Sequence, residues 1–213
     1  MKRTIGHFAV LLCLVHLSFA QDKHHYQTDF SKEEFSQRRE KIMETIGNNA
    51  IALVQGAAGI PGFAVFRQSN TYYYLTGLES PHAYLLINGR SKASTIYLPH
   101  RDEGMERGQG KVLSAEDAAL VQELTGIEQV KGIEFLSADL VGAGLIRPPA
   151  PLLYTEFSPT EVGNDSRDEL LFAQARTSAD PWDGQPTRQS VFIQKLRERV
   201  PQFEIKDLSP LLD

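Results

Sequence analysis

The sequence predicts an α/β domain, a mixed β-sheet flanked by helices. Short apolar runs of strand length recur along the chain at Ala50–Val54, Ala83–Ile87, Ser94–Leu98 and Leu152–Tyr154. Stretches of helical periodicity lie between and beyond them, most plainly at 31–46 and 187–200. The two kinds of segment alternate rather than segregate, which is the pattern of helices packed on a sheet.

In chain order, Ser31 and Glu34 have capping-box spacing, with Phe30 placed to staple the first turn. The helix that follows carries Phe35, Arg38, Arg39, Ile42, Met43 and Ile46 and stops at Gly47-Asn48-Asn49. Ala50–Val54 reads as a buried strand, and 56–62 as a flexible glycine-rich loop. Then comes Phe66-Arg67-Gln68-Ser69-Asn70-Thr71-Tyr72-Tyr73-Tyr74-Leu75-Thr76-Gly77. Tyr, Thr and Leu favour a pleated surface, so 71–76 is expected to be a strand closed by Gly77. Alternation would send Tyr72 and Tyr74 to one face and Tyr73 with Leu75 to the other, as in a central strand covered on both sides.

Asn88-Gly89-Arg90 reads as a hairpin turn between two further strands. Pro99-His100-Arg101-Asp102-Glu103-Gly104-Met105-Glu106 is a charged loop at a strand end, the position at which loops carry function; a solvated surface loop is the competing reading. Ser114 with Asp117 opens a helix to about Leu124, Val130 starts a short strand, and 132–141 reads as a helix on the sheet. Pro148-Pro149-Ala150-Pro151 leads stiffly into Leu152–Tyr154. The 157–185 stretch is less regular, with 165–176 helical and Asp180-Pro181-Trp182-Asp183-Gly184 as turn chemistry. An amphipathic helix over 187–200, a closing strand at Phe203-Glu204-Ile205 and a new helical start at 207–212 complete the chain.

The first 20 residues are expected to lie outside this fold. Lys2 and Arg3 precede an apolar run from Ile5 to Phe19, and Ser18-Phe19-Ala20 offers small residues where a signal peptidase reads. A membrane anchor is the competing reading, but the run is short for a span. Export to a periplasmic or extracellular location, with cleavage before Gln21, is the expectation. Residues 21–30 then form a flexible arm, in which His24 and His25 are too close in sequence to chelate one ion well.

Cleavage would remove Cys13, the only cysteine, so thiol catalysis and disulfides are both excluded from the mature chain. The 22 basic residues would fall to 20 against 27 acidic ones, a net charge near −7, which argues against nucleic acid or an anionic membrane as partner. The sequence has no phosphate loop, zinc-binding helix motif or nucleophile elbow. His82 and His100 have no carboxylate at helical ligand spacing. Asp102 and Glu106 could form a carboxylate pair, although pairing with Arg101 and Arg107 at the surface is the preferred reading. No catalytic or metal-binding set is found in the chain.

The order of features nevertheless resembles a known family. Phe35-x-x-Arg38-Arg39, then Phe66-Arg67-Gln68-Ser69, then Tyr72-Tyr73-Tyr74-Leu75-Thr76-Gly77, is similar to the N-terminal domain of aminopeptidase P, of Xaa-Pro aminopeptidases and, more loosely, of prolidases. Leu98-Pro99-x-Arg101-Asp102 followed by Glu106 continues the likeness, which runs from 31 to 213. The Arg67, Gln68, Tyr72, Tyr73, Tyr74 and Gly77 element is its specific part. Here Arg107-Gly108-Gln109 stands where family members often place an aromatic, and Gly59-Ile60-Pro61-Gly62-Phe63 stands where they carry an acid. The 157–185 stretch reads as a subgroup elaboration.

The resemblance implies a ribonuclease H-like mixed sheet that precedes a catalytic "pita-bread" domain. That second domain would hold two divalent metals, manganese as the usual case, and hydrolyse the bond between an N-terminal residue and a following proline. None of its ligands can be placed on these residues, so no cofactor is expected in the chain itself. The domain in hand would be non-catalytic, assisting oligomerisation and enclosing the active site of a neighbouring subunit. Its partners would be its own catalytic domain and neighbouring subunits, with proline-containing peptides as substrates of the full enzyme. Arg101, Asp102 and Glu106 are the candidate contacts. Two other readings stay open: a free-standing secreted binding module of the same fold, and the N-terminal domain of a prolidase or creatinase-type enzyme.

Overall fold

Ala50–Gln55 forms β1, whose core is fully apolar and buried on both faces. It pairs antiparallel with β2 (Tyr84–Asn88) on one side and parallel with β5 (Leu152–Thr155) on the other. β3 (Ala93–Leu98), β4 (Gln129–Gly132) and β6 (Glu204–Asp207) complete a six-stranded sheet of order β4-β3-β2-β1-β5-β6. The computed structural model describes residues 26–59, 66–144, 151–159 and 166–212. The first 20 residues, where a signal peptide is expected, His24 and His25, residues 60–62 of the glycine-rich loop, and Pro148-Pro149-Ala150 lie outside the described residues.

Only β2 runs against the other strands, because β3 is antiparallel to β2 while β4, β5 and β6 each join a neighbour in parallel. The carboxyl ends of five strands therefore open at one edge of the sheet. Period-two alternation divides the core between the faces. Ala50, Ala52, Val54, Leu85, Ile87, Ile96 and Leu98 pack towards α1 (Lys32–Ile46), α2 (Asn70–Thr76) and α4 (Ala118–Thr125). Ile51, Leu53, Leu86, Tyr97 and Leu153 pack towards α5 (Leu136–Gly144) and α7 (Arg188–Arg199). A short α3 (Glu103–Gln109) and an outlying α6 (Arg167–Ser178) complete the helices named here.

The tyrosine run corrects the sequence reading. Residues 70–76 are a two-turn helix, not a central strand, and β1 holds the central place. Tyr72, Leu75 and Thr76 are buried at spacing i, i+3, i+4, while Tyr74 is 47% exposed. Alternation would have put Tyr72 and Tyr74 together. Tertiary burial overrides the strand preference of Tyr and Thr, since one helical face against the core buries what a strand would divide. Gly77 does stop the element, but as a helix cap: it is left-handed at φ 69°, and its N–H reaches Tyr73 O. A Cβ there would sit 2.7 Å from the Phe35 ring.

Helix α1 grips the end of α2 through the Arg-Arg pair. Arg38 donates to Tyr74 O at 2.8 Å and lies over the rings of Phe30, Phe35 and Tyr74. It also pairs with Glu34, and the capping box expected from Ser31 and Glu34 is not formed. Phe30 does staple the turn, edge-on to Phe35 at 6.4 Å. Arg39 is buried, donating to Leu75 O at 3.0 Å, Thr125 O at 2.9 Å and Ser94 Oγ at 3.1 Å. Two helix C-termini, α2 and α4, thus receive donors for carbonyls that would otherwise be orphaned. On the other side of α2, Gln27 N–H donates to Gly77 O at 3.0 Å and Tyr26 bridges Leu78.

Tyr72 carries a testable feature, because its hydroxyl is buried with no hydrogen-bond partner. Tyr72→Ala is expected to cost roughly 3–5 kcal/mol as a core truncation, and Tyr74→Ala less than about 1 kcal/mol. Tyr72→Phe removes an unsatisfied polar group and should leave the melting temperature unchanged or raise it. Thermal melts of the three variants check the ranking; a Tyr72→Phe loss as large as that of Tyr72→Ala would contradict it.

Candidate functional site

β3 delivers the chain to the carboxyl edge, where Pro99, His100 and Arg101 lead into α3. Asp102 is the N-cap of that helix: its carboxylate accepts from Gly104 N–H at 2.9 Å and Met105 N–H at 3.1 Å. The expected loop therefore folds as a helix from Glu103 onward, and Asp102 serves its backbone rather than a carboxylate pair. Arg101 donates to Asp117 Oδ1 at 2.8 Å and lies 3.7 Å from Glu106. The Arg101–Glu106 pairing is as expected, while Arg107 forms no ion pair among the described residues.

The second half of the cluster comes from the turn before α4, where Ser114 and Asp117, expected to open a helix, form a capping box. Burial works to raise Asp117, but its bonds from Ser114 and Arg101 hold it below the ordinary carboxylate value. Lys111 adds a second cation at 3.5 Å. His100 lies between Glu116 at 2.5 Å and Glu134 at 3.1 Å, and those two hydrogen bonds raise its pKa. Glu116 is held down to about 2, first by His100 and then by the Arg101 N–H. The result is a surface lattice of alternating charge, with Asp117 its most enclosed member: Glu134, His100, Glu116, Arg101, Asp117 and Lys111. Sequence reasoning left His100 isolated, because its partners are 16 and 34 residues away and no short spacing signals them.

The other motif residues serve the fold at the same edge. Gln68 is buried; its Oε1 accepts from Ala57 N–H at 2.5 Å and Ser69 N–H at 2.9 Å, and its Nε2 donates to Ser80 O at 2.9 Å. It fixes the chain leaving β1 against the chain leaving α2. Arg67 reaches Glu79 at 3.2 Å across a half-exposed surface. Tyr72, Tyr73, Tyr74 and Gly77 belong to α2 and its cap, so the motif positions a helix rather than a reactive group.

A cleft of about 290 Å³ opens beside this motif at the ends of β1 and β5. Glu156, directly after β5, lies on its wall and is only 9% exposed. It accepts from Thr71 Oγ1 at 2.8 Å. Burial pushes its pKa up to about 7, against the opposing Thr71 bond and the more distant Arg167, with Asp207 pushing further upward. The sequence offered one overlooked signal here, an acid directly following an apolar strand.

Two divalent metals do not fit the described residues. Among them, no group of three or more His, Cys, Asp or Glu side chains could hold an ion. In the one histidine–acid cluster, the two His100 nitrogens face different carboxylates, so the donors do not converge.

Residues 35–145 match the family model for the aminopeptidase P N-terminal domain. The chain belongs to that family. The matched span carries the Arg-Arg helix, the tyrosine helix and the charged edge, but stops before Glu156 and α7. A Haemophilus influenzae Xaa-Pro aminopeptidase is 29% identical over 99 residues, covering 44% of this chain and 23% of the relative. A Sclerotinia sclerotiorum protein named as a probable Xaa-Pro aminopeptidase is 32% identical over 85 residues, covering 40% and 14%. The solved structure of E. coli aminopeptidase P with the inhibitor Pro-Leu matches at TM-score 0.55 and 17% identity, over 87% of this chain and 38% of that one. A Bacillus anthracis structure assigned to aminopeptidase P reaches 0.61 at 19% identity, covering 86% and 39%. These structural likenesses establish the mixed-sheet α/β fold. The chain spans well under half the length of the relatives it matches.

Two predictions follow from the charges at this edge. Arg101→Ala should change stability by less than about 1 kcal/mol, since Arg101 itself lies at the surface and Asp117 keeps its hydrogen bonds from Ser114, whereas Asp102→Ala should cost about 0.5–2 kcal/mol through the lost cap. Urea unfolding of both variants tests that order. For Glu156 the folded pKa lies above the ordinary value, so its contribution is fully present below about pH 4.5 and lost as pH rises through about 7. The penalty at alkaline pH is roughly 3 kcal/mol. Glu156→Gln should accordingly melt above the wild type at pH 8 and alongside it at pH 5; equal differences at both pH values would contradict the burial of an ionised carboxylate.

Proposed function

We propose that this chain is the non-catalytic N-terminal domain of an exported Xaa-Pro aminopeptidase. Metal-dependent removal of the residue before proline belongs, on this reading, to a catalytic domain outside the 213 residues. The observation that carries it is the family match over 35–145, joined to two relatives named for that activity.

The charged edge would do the work of this domain. Arg101 and Glu106 are held by ion pairs yet stay accessible, so they can meet a neighbouring subunit or rim its cleft without first unfolding anything. Paired rim charges contribute orientation and association rate more than affinity. Export is supported by the sequence of the first 20 residues, and no helix among the described residues is long and apolar enough to cross a membrane.

Three measurements test this. The purified chain, supplied with manganese, should leave Xaa-Pro peptides intact, while a protein carrying this domain followed by a pita-bread domain should cleave them. Turnover by the chain alone that survives repurification would overturn the division of labour. In the longer protein, Arg101→Ala or Glu106→Arg should weaken subunit association by about tenfold on sizing; no change in either would remove the edge from the assembly. N-terminal sequencing of exported protein should begin at Gln21.

A further inference from the structure

The cleft between the ends of β1 and β5 holds charges that are not paired with opposite charges among the described residues. Its walls include Gln55 and Ala57 from the end of β1, Ser69 ahead of α2, Glu156 after β5, and Arg188 and Phe192 of α7. Glu156 brings a buried carboxylate that meets no cation in an ion pair among the described residues; its one hydrogen bond is from Thr71. Arg188 is an exposed residue whose guanidinium donates to Gly56 O at 2.7 Å and likewise has no carboxylate partner among the described residues. Ser69 has a buried hydroxyl with no hydrogen-bond partner.

Hydrogen bonds tie Glu156 and Arg188 to the fold, but neither charge meets an opposite one among the described residues. A buried carboxylate without a counter-ion is costly. Arg188 stands in the first turn of α7, the end at which a helix disfavours positive charge. Both defects face one cavity, which is the pattern of a recognition site rather than of a structural ion pair. The location is also where an α/β sheet places ligands: β1 leads on to β2 at one flank, β5 leads on to β6 at the other, and a crevice forms between their carboxyl ends. Glu156 and Arg188 lie beyond the family match over 35–145, so the two charges of the site are not part of what that match describes.

We propose that this cleft binds a small zwitterion, a free amino acid or a dipeptide, with its ammonium group at Glu156 and its carboxylate at Arg188. One ligand would supply both missing counter-charges, and Ala57, Pro159, Leu170 and Phe192 would receive its apolar side chain. The volume, about 290 Å³, is at the lower end of small-molecule sites and suits a ligand of that size. The inference stands apart from the aminopeptidase reading, since it concerns residues that reading does not involve.

Isothermal titration of the purified chain at pH 8 tests it, with L-leucine and L-alanyl-L-leucine as zwitterions and butylamine and butyrate as half-ligands. At least one zwitterion should bind saturably, and about tenfold or more tighter than either half-ligand. Whichever of the two zwitterions binds tighter identifies the ligand as amino acid or dipeptide. Glu156→Gln should weaken the zwitterion and butylamine but spare butyrate, and Arg188→Gln should do the converse. The half-ligand series uses the wild-type chain, so it decides even if a variant fails to fold. No saturable heat with either zwitterion up to about 10 mM, half-ligands that bind as tightly as the zwitterions, or folded variants that bind like the wild type would each overturn the proposal.

Discussion

Arg39 carries a guanidinium into an interior that leaves it only 1% exposed, and much of the helical face is arranged around it. Burial lowers its pKa to about 10, with Glu128 opposing that shift, so it stays charged near neutral pH. It satisfies the last carbonyls of two helices on different sides, Leu75 of α2 and Thr125 of α4, and meets Ser94 of β3. Ser94 in turn donates from Oγ to Glu128 at 2.7 Å, which brings the counter-charge to the far end of the chain of bonds. A planar fork with several fixed donors can serve partners in these different directions, and a lysine cannot. The interaction is costly to break: replacing Arg39 with an apolar residue would leave two buried carbonyls unmet.

That clamp explains why a seven-residue helix of Asn, Thr and Tyr persists. Helices this short do not hold themselves in water. α2 does so because Arg38 and Arg39 occupy its C-terminal carbonyls, Gly77 turns the chain out, and Tyr72 and Leu75 fill the core. With α2 fixed, Gln68 can pin the chain leaving β1, and the carboxyl edge of the sheet acquires a defined shape. The charged lattice at Arg101 and the cleft at Glu156 are two parts of the same edge, one exposed and rich in pairs, the other enclosed and lacking them.

Much of the sheet was legible in the residues. Ala50–Gln55, Tyr84–Asn88, Ala93–Leu98 and Leu152–Thr155 are apolar runs of strand length, and period-two alternation divides the first three between the two faces. The tyrosine run was misread because local preference favours a strand there, while the deciding term is long-range: Arg39 lies 36 residues from Leu75. The family likeness was legible through the same motif, since Arg67, Gln68 and Gly77 retain their order whatever the element. Of the candidate site, the Arg101–Glu106 pairing and the capping box at Ser114 could be read from short spacings. His100 with Glu116 and Glu134, and Glu156 with Arg188, could not, because only strand order brings those segments to one edge.

The central claim is that Arg39 holds α2 and α4 on the sheet, and native-state hydrogen exchange of Arg39→Lys tests it most directly. The account predicts faster exchange at Gly77 N–H and Gly126 N–H, the amides that close α2 and α4, with β1 and β2 amides still protected under conditions where the variant is folded. Protection at Gly77 and Gly126 equal to that of the wild type, or a loss spread evenly over the sheet, would contradict it.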